Sequence, residues 1–487
     1  MPLQILNRNT VDFQPLPNAK MMVFGGGNFV RAFILYFLNE YNKSALEPFG
    51  AVVVKVTPGD YHDWKIQDGL YHVLTKGLKD SQVIDKSDLI SCVSDILAVY
   101  EDWELWMKTA ENPSIQFLVN NVTESGLVFK EESFNDEIPD TFPAKLTKWL
   151  LRRFQYFEGD ASKGCILMPC ELIENNADLL KTFIKKYIHH WQLSSDFEKW
   201  LDESCIFCNT LVDRIVPGVS KNHLSEAQEK VGYADKLITE GEPYHIFVIE
   251  ANDLVRSALP WHQTPGLQII YTKDLSEYRI KKIRILNGAH SSLVPVGLLY
   301  GLEIVREVLD DDLLSKYVEH LIYQEIIPIL PLDKQTLIDY AKDTLDRFRN
   351  PFLHHKLETI SLNSFSKARV RIIPTIKEFH NKNGTFPKGT ILAFSSMILL
   401  YRGYYNDLKF AINDDLYVVD TMKTFWSEAK TDSIPDQHLF TQLLSDPKLW
   451  GEDLSQIVGL QETIMAQLNG IFQNGMKHEI AQIFLEM

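Results

Sequence analysis

Across the first half of the chain, short apolar runs alternate with longer stretches in which apolar residues recur every three or four positions. The short runs are KMMVFG (20–25), GAVVVKV (50–56), IQFLVNN (115–121), GCILMPC (164–170) and SCIFCNT (204–210). Their length and β-branched content predict strands. The periodic stretches predict helices over FVRAFILYFLNEYN (29–42), VSDILAVYEDWELWMKTAEN (93–112) and PAKLTKWLLRRFQYF (143–157). In the last of these, Leu146, Leu150, Phe154 and Phe157 fall at helical spacing, and Pro143 suits a first turn. DGLYHVLTKG (68–77) reads as a hairpin or an antiparallel edge. From about residue 276 the β-rich runs nearly vanish and helical patterns take over, as in SKYVEHLIYQEIIPIL, DTLDRFRN, TILAFSSMILLYRGYY, DQHLFTQLLSD and LSQIVGLQETIMAQLNGIFQNGM. The pattern predicts an α/β fold, with a mostly parallel sheet domain over 1–275 and an all-α domain over 276–487. In such a pair the site is expected in the cleft between the domains, outside the carboxyl ends of the strands.

Composition narrows the partners more than the fold. The 487 residues exceed one compact core, and 45% hydrophobic with 23% charged residues is ordinary for a globular protein. A net charge of -16 with no long basic run argues against nucleic acid as a partner. The start, MPLQILNRNTVDF, lacks a basic region followed by an apolar one, so no secretory segment is expected. GTILAFSSMILLY (389–401) is too short to span a bilayer and carries Ser395 and Ser396, so a buried helix and no membrane association are expected. Five cysteines make no disulfide framework and fit a reducing cytoplasm. Cys205 and Cys208 form a C-x-x-C pair downstream of Cys165 and Cys170, but no spacing or nearby His completes a common zinc pattern. Buried thiols and no metal are expected; a zinc-dependent alcohol dehydrogenase using Cys205 and Cys208 is the alternative from a different enzyme class.

The stretch MMVFGGGNFVRAFILYFLNE (21–40) runs from a strand through three glycines into a helix. Gly25 and Gly27 occupy the places where a dinucleotide turn needs tightness and close backbone approach to a pyrophosphate. The third glycine of that pattern is replaced by Val30, which alters helix placement rather than removing the phosphate site. The helix start offers free N–H groups, and Arg31 opposes the helix dipole there, so it is a candidate for reaching phosphate or carboxylate groups. A Rossmann-type nucleotide domain follows, with Phe24, Gly25, Gly26, Gly27, Asn28, Phe29 and Arg31 as candidate cofactor contacts. The acidic residue that usually ends the second strand and holds the ribose is missing. Lys55 stands near its place and Asp60 comes several residues late, which leaves NADP open beside NAD.

RIKKIRILNGAHSSLVPVG (279–297) opens the helical half. On an α-helix Asn287 and His290 share a face and Lys282 lies on its flank. Gly288 and Ala289 keep that surface low. Hydride transfer to a ketone needs a proton donor and groups that stabilise the developing oxyanion, tasks suited to a partly buried lysine and to asparagine amides. The same residues also suit a solvated basic cluster with Arg279, Lys281 and Arg284, or a polar pair inside the helix.

GGGNFVRAF, DGLYHVLTKGL, NNVTESG, PAKLTKWLLRRF, PCELIE, TLVDRIVPG, KIRILNGAHSSLVPVG, EIIPIL and RFRNPFLHHKLETISLNSFSKARVRIIP run in the order seen in the polyol-specific long-chain dehydrogenases. The chain resembles that group, the mannitol dehydrogenase family, over nearly its whole length, and within it the members acting on sugar acids. The resemblance implies a metal-independent, NAD-linked oxidoreductase of the cytoplasm, with a small sugar-acid substrate and an open number of subunits. It implies Lys282 as the catalytic acid/base, Asn287 and Asn209 as the oxyanion pair, and His290 as a hydrogen-bonding partner of the substrate. Asn121 and Thr123, in NNVTESG, become candidate cofactor contacts, and Asp213 with Arg214 a structural ion pair. A sugar acid carries a carboxylate, which a forked cation suits best. Arg347, Arg349, Lys356, Lys367, Arg369 and Arg371, with His354 and His355, supply cations in one segment; Arg349 and Lys367 are the expected substrate-binding residues. A dinucleotide-binding sensor without catalysis is the non-enzymatic alternative.

Overall fold

The computed structural model describes residues 2–16, 18–122, 126–429 and 433–485. It divides into two compact units, Met1–Lys76 with Val83–Leu275, and Gly77–Gln82 with Ser276–Met487.

The first unit is built on a parallel sheet of β1 (Ala19–Phe24), β2 (Gly50–Lys55), β5 (Val93–Ala98), β6 (Phe117–Asn120), β7 (Ile166–Pro169) and β8 (Ile206–Phe207), in the order β5-β2-β1-β6-β7-β8. Alternation of side chains sends Met21, Val23, Ala51 and Val53 to one face and Met22, Phe24, Val52 and Val54 to the other, each into its own apolar core. A sheet buried on both faces reads as an unbroken apolar run, which is why MMVF and AVVV were recognisable as strands. All the strands run parallel, but their order reverses between β1 and β6, and ligands of such sheets bind outside the carboxyl ends at that point. Two small sheets accompany it: β3 (Tyr71–Lys79) between β10 (Thr239–Gly241) and β4 (Gln82–Ile90), and β11 (Ile246–Glu250) between β12 (Ile269–Thr272) and β9 (Thr210–Asp213).

Two expected helices differ. Residues 93–112 do not form one helix. Val93–Ala98 is β5, paired in parallel with β2 through Ala51↔Val93, Val53↔Ile96 and Lys55↔Ala98. The helix begins only at Trp103. A parallel sheet leaves the backbone groups of β2 needing a partner, and that demand overrides a helical apolar spacing. The helix expected over 29–42 is broken at Phe33, whose φ of −125° and ψ of −87° separate Asn28–Ala32 from Ile34–Asn42.

The second unit is helical, with one two-stranded hairpin at 404–409. Its centre is the packing of Gly288–Tyr300 against Lys388–Leu400, the latter buried along its length. Buried Glu325 closes the start of Lys388–Leu400 by accepting from the Gly389 and Thr390 N–H groups at 2.7 and 2.8 Å, the task of an N-cap done from another element. Among the described residues no helix is long and apolar enough to cross a membrane. The tip of the β3–β4 hairpin, Gly77–Gln82, belongs to this unit, where the Ser81 N–H donates to Asp346 Oδ2 at 2.9 Å. Two segments expected as plain α-helix are π-helical, Lys282–Asn287 and Leu321–Ile326, and they pack against each other.

Candidate active site

In the first unit β1 delivers the glycine turn to the reversal point. Gly25 has φ +111° and donates its N–H to Val54 O at 2.9 Å; a Cβ there would lie 3.2 Å from Asn121 O. Conformation and space both demand glycine. A Cβ on Gly26 would come within 2.6 Å of Tyr61 Oη. Gly27 is different: its φ of −70° and ψ of 174° suit any residue, and a Cβ on it would meet nothing within 4 Å among the described residues. Glycine is tolerated at this N-cap, but no contact among the described residues requires it, whereas close approach of a pyrophosphate to the backbone does. The turn therefore fits a dinucleotide. Val30, where the third glycine of the pattern would stand, is 2% exposed and packs 3.7 Å from the Gly25 position.

The neighbouring candidates mostly brace this turn. Arg31 donates to Gly26 O at 3.2 Å and to Asn28 Oδ1 at 2.5 Å. Burial lowers its pKa. Asn28 Oδ1 also accepts from Thr239 at 3.2 Å. The guanidinium is folded beneath the loop that sequence reasoning had it reaching out from. The Phe24 ring is in the core, edge-on to Phe142 at 5.0 Å, and Phe29 stacks on Phe33 at 4.7 Å. Lys55 ends β2 with Nζ 3.2 Å from Thr57 Oγ1 and over the Tyr61 ring. Asn121 joins strand ends, donating Nδ2–H to Cys170 O at 3.0 Å. Thr123 lies outside the described residues. Glu171, which the sequence reading passed over within PCELIE, sits between these strand ends and accepts from Asn120 Nδ2 at 2.8 Å and Val122 N at 2.8 Å. Burial raises its pKa.

Asn209 is 8% exposed and fully engaged. Its Oδ1 accepts from the N–H groups of Ala177 and Asp178 at 3.0 and 3.2 Å, and its Nδ2 donates to Asp178 and Glu250 at 2.9 and 3.0 Å. The helix Asn176–His190 has no side-chain cap from its own Asn175, which is left-handed, so Asn209 supplies the cap. Asn209→Ala is expected to cost about 2 kcal/mol of stability through the lost cap and the stranded carboxylates, read as a lower urea midpoint; an unchanged midpoint refutes the capping role. Arg214 is buried and donates to Glu242 O at 2.9 Å, to Ala32 O and to Thr75 Oγ1 at 3.3 Å. Cys165 and Cys208 are buried thiols pushed up to about 11 and about 12, and no group of three metal-ligating side chains occurs among the described residues.

In the second unit the π segment carries Lys282 and Asn287. Residues five apart point roughly 140° apart on an α-helix, at about 100° per residue. The wider turn closed by i→i+5 bonds brings them within roughly 50°. The α-helix then resumes at Gly288, so His290 falls on the same side as both. Arg284 is turned elsewhere, donating to Glu378 at 2.9 Å and to Thr375 at 3.1 Å. Lys282 and Asn287 are half-buried, and Asn287 has no side-chain hydrogen bond recorded among the described residues. The His290 ring lies 5.0 Å from Phe348 and 4.8 Å from His355. Its Nε2 is buried without a hydrogen-bond partner among the described residues. Burial, then the charges of His355, Arg371, Arg347 and Lys367, hold His290 well below its usual range, so it is neutral at pH 7.

That depression has a sign. Between the depressed value and about 6.5 the unfolded chain binds more protons than the folded one, so stability falls as pH drops through that window. His355, lowered by burial, adds to it. A loss of about 1 kcal/mol between pH 7 and 5.5 is expected from His290, and His290→Gln should flatten the pH dependence of the melting temperature. An unchanged slope in the variant rules His290 out.

Of the expected substrate cations, Arg349 is committed to Glu319 at 2.9 Å and Ser315 at 3.2 Å. Lys367 Nζ donates to Ile360 O at 2.7 Å and to Leu362 O. The structure brings Arg371, Arg347 and His355 to His290 alongside Lys367. The sequence showed these as members of one basic segment but not which of them turn inward.

Residues 19–263 match the model of the mannitol dehydrogenase Rossmann domain, and residues 274–472 match that of the mannitol dehydrogenase C-terminal domain. The chain belongs to the mannitol dehydrogenase family and is an oxidoreductase. Among its relatives, the altronate oxidoreductase of Bacillus subtilis (strain 168) is 37% identical over 99% of both chains. That of Escherichia coli O7:K1 (strain IAI39 / ExPEC) is 34% identical over 98% of this chain and 99% of its own. Two solved structures share the fold. One is a substrate-free D-sorbitol dehydrogenase, with TM-score 0.80 and 22% identity, covering 98% of this chain and 100% of that one. The other is Pseudomonas fluorescens mannitol 2-dehydrogenase in ternary complex with NAD and D-mannitol, with TM-score 0.71 and 20% identity over 100% of both.

Proposed function

We propose that this chain is an NAD-dependent oxidoreductase interconverting D-tagaturonate and D-altronate, acting on the secondary alcohol. The observation that carries the reading is the π segment, which gathers Lys282, Asn287 and His290 on one side of one helix. Full-length likeness to altronate oxidoreductases supports the substrate, and the bare Gly27 supports the dinucleotide. Gly25, Gly26 and Gly27 would hold the cofactor through backbone groups, with Lys55 toward its ribose and Asn121 beside the nicotinamide end. When bound, NADH supplies the hydride that reduces the keto carbon.

The residues of the chain then divide the remaining work. Asn287 donates an N–H to the carbonyl oxygen and stabilises the negative charge that develops there. The Lys282 ammonium gives that oxygen its proton, and in the oxidative direction the amine takes it back. Neutral His290 holds a neighbouring hydroxyl. Asn209 joins the oxyanion pair only by exchanging one of its carboxylate partners for the substrate oxygen, so Asn287 bears the larger share. The test is an assay of hexuronates and ketohexoses with NADH and NADPH. NADH-linked reduction of D-tagaturonate, with weak activity on D-fructuronate and D-fructose, is expected. Activity on fructose alone would overturn the substrate, and a preference for NADPH would overturn the cofactor.

A further inference from the structure

Within the second unit, the helix Ser364–Arg371 packs against the start of Gly288–Tyr300. There Arg371 Nη1 donates to Ser291 Oγ at 2.9 Å. That bond leaves the Nε/Nη2 edge of the guanidinium, on which Nε is buried with no partner among the described residues. Burial disfavours the charge of Arg371, and no carboxylate is recorded against it among the described residues. Arg284, Arg349 and Arg152 each pair with a carboxylate, on Glu378, Glu319 and Glu111, whereas the buried Arg153 and Arg214 are held by carbonyl oxygens. Arg371 instead stands near a second cation, Lys367, whose own charge it disfavours; Asp414 is the acid acting on Lys367. Both bear on the neutral ring of His290, next in the chain to Ser291. A partly desolvated guanidinium without a carboxylate, beside another cation, costs the folded protein free energy.

We propose that Arg371, aimed by Ser291 and backed by Lys367, receives the carboxylate of the sugar-acid substrate and sets the preference for a hexuronate over a neutral ketose. The inference rests on the reading of the site as that of a sugar-acid oxidoreductase. The Nε/Nη2 edge, which the Ser291 bond does not use, matches a carboxylate with two parallel hydrogen bonds, a fit that a lysine cannot reproduce. Ser291 fixes which edge is offered. The charge stays unmatched until the substrate brings its own, so a ketose with a CH2OH in that place gains nothing from it.

The experiment compares D-tagaturonate with D-tagatose, its neutral counterpart, by steady-state kinetics. Arg371→Leu should raise KM for D-tagaturonate on the order of 100-fold with kcat falling less than about fivefold, while kcat/KM for D-tagatose and KM for NADH change less than about threefold. Arg371→Lys should recover part of the loss, and Ser291→Ala should raise the same KM on the order of tenfold. A D-tagaturonate KM unchanged in all three variants overturns the proposal, as does an equal loss on both substrates at unchanged melting temperature. If Arg371→Leu does not fold, Arg371→Lys and Ser291→Ala decide by the same criterion. Failure of the underlying reading shows in the wild-type enzyme, as reduction of neutral ketoses and of no hexuronate. Failure of this inference shows only in the variants.

Discussion

Replacing Lys282 by Ala is expected to lower kcat for keto-acid reduction on the order of 10³-fold, within the range that a positioned proton donor contributes. KM for NADH and the melting temperature should stay close to wild type. The side chain is half-buried and sits on a π turn closed by backbone bonds, so its truncation leaves the helix intact. The effect should appear in kcat and kcat/KM together, the signature of an interaction made in the transition state. Lys282→Met keeps much of the volume and should be as inactive as Ala, which separates the loss of a proton donor from the loss of packing. NAD-linked reduction that survives Lys282→Ala nearly intact would end the proposed mechanism. Binding of NADH with no turnover of any sugar acid by the wild type would favour a sensor.

Gly27→Ala is expected to weaken NADH binding between about 10- and 100-fold, roughly the 1.4–2.8 kcal/mol that a displaced pyrophosphate costs, with stability altered by less than about 1 kcal/mol. Two observations make the pairing of effects specific. The backbone at 27 is extended, and a methyl there touches nothing within 4 Å among the described residues. Gly25→Ala provides the contrast. With φ at +111° and Asn121 O only 3.2 Å from the new Cβ, it should lose stability first. Fluorescence titration with NADH beside a urea melt reads both quantities. Equal NADH affinity in wild type and Gly27→Ala would remove the assignment of this turn to the pyrophosphate.

Much of the first unit was legible because a sheet covered on both faces leaves a plain mark. MMVF, AVVV and FLV are apolar at every position, and the structure pairs them within the central strands β1, β2 and β6. Val93–Ala98 was not legible. Its spacing satisfies a helix as well as a strand, and the unpaired edge of β2, remote in sequence, decides between them. The π segment was hidden for a similar reason. Residue types do not announce one extra residue in a turn, and the helical wheel drawn for Lys282 and Asn287 assumed α geometry throughout.

By itself the sequence determined the alternation of strands and helices in the first half, the helical second half, and the glycines that a strand-to-helix turn requires. These depend on residues near one another in the chain, through periodicity and backbone freedom. Tertiary structure alone decided which candidates are spoken for. Asn209 is spent on the start of a helix and Arg349 on Glu319. Arg371 gives Nη1 to Ser291, 80 positions away, while its Nε has no partner among the described residues. A hydrogen-bonding group has a limited number of donors and acceptors, and whether any remain for a substrate is settled by neighbours that only the folded chain brings together.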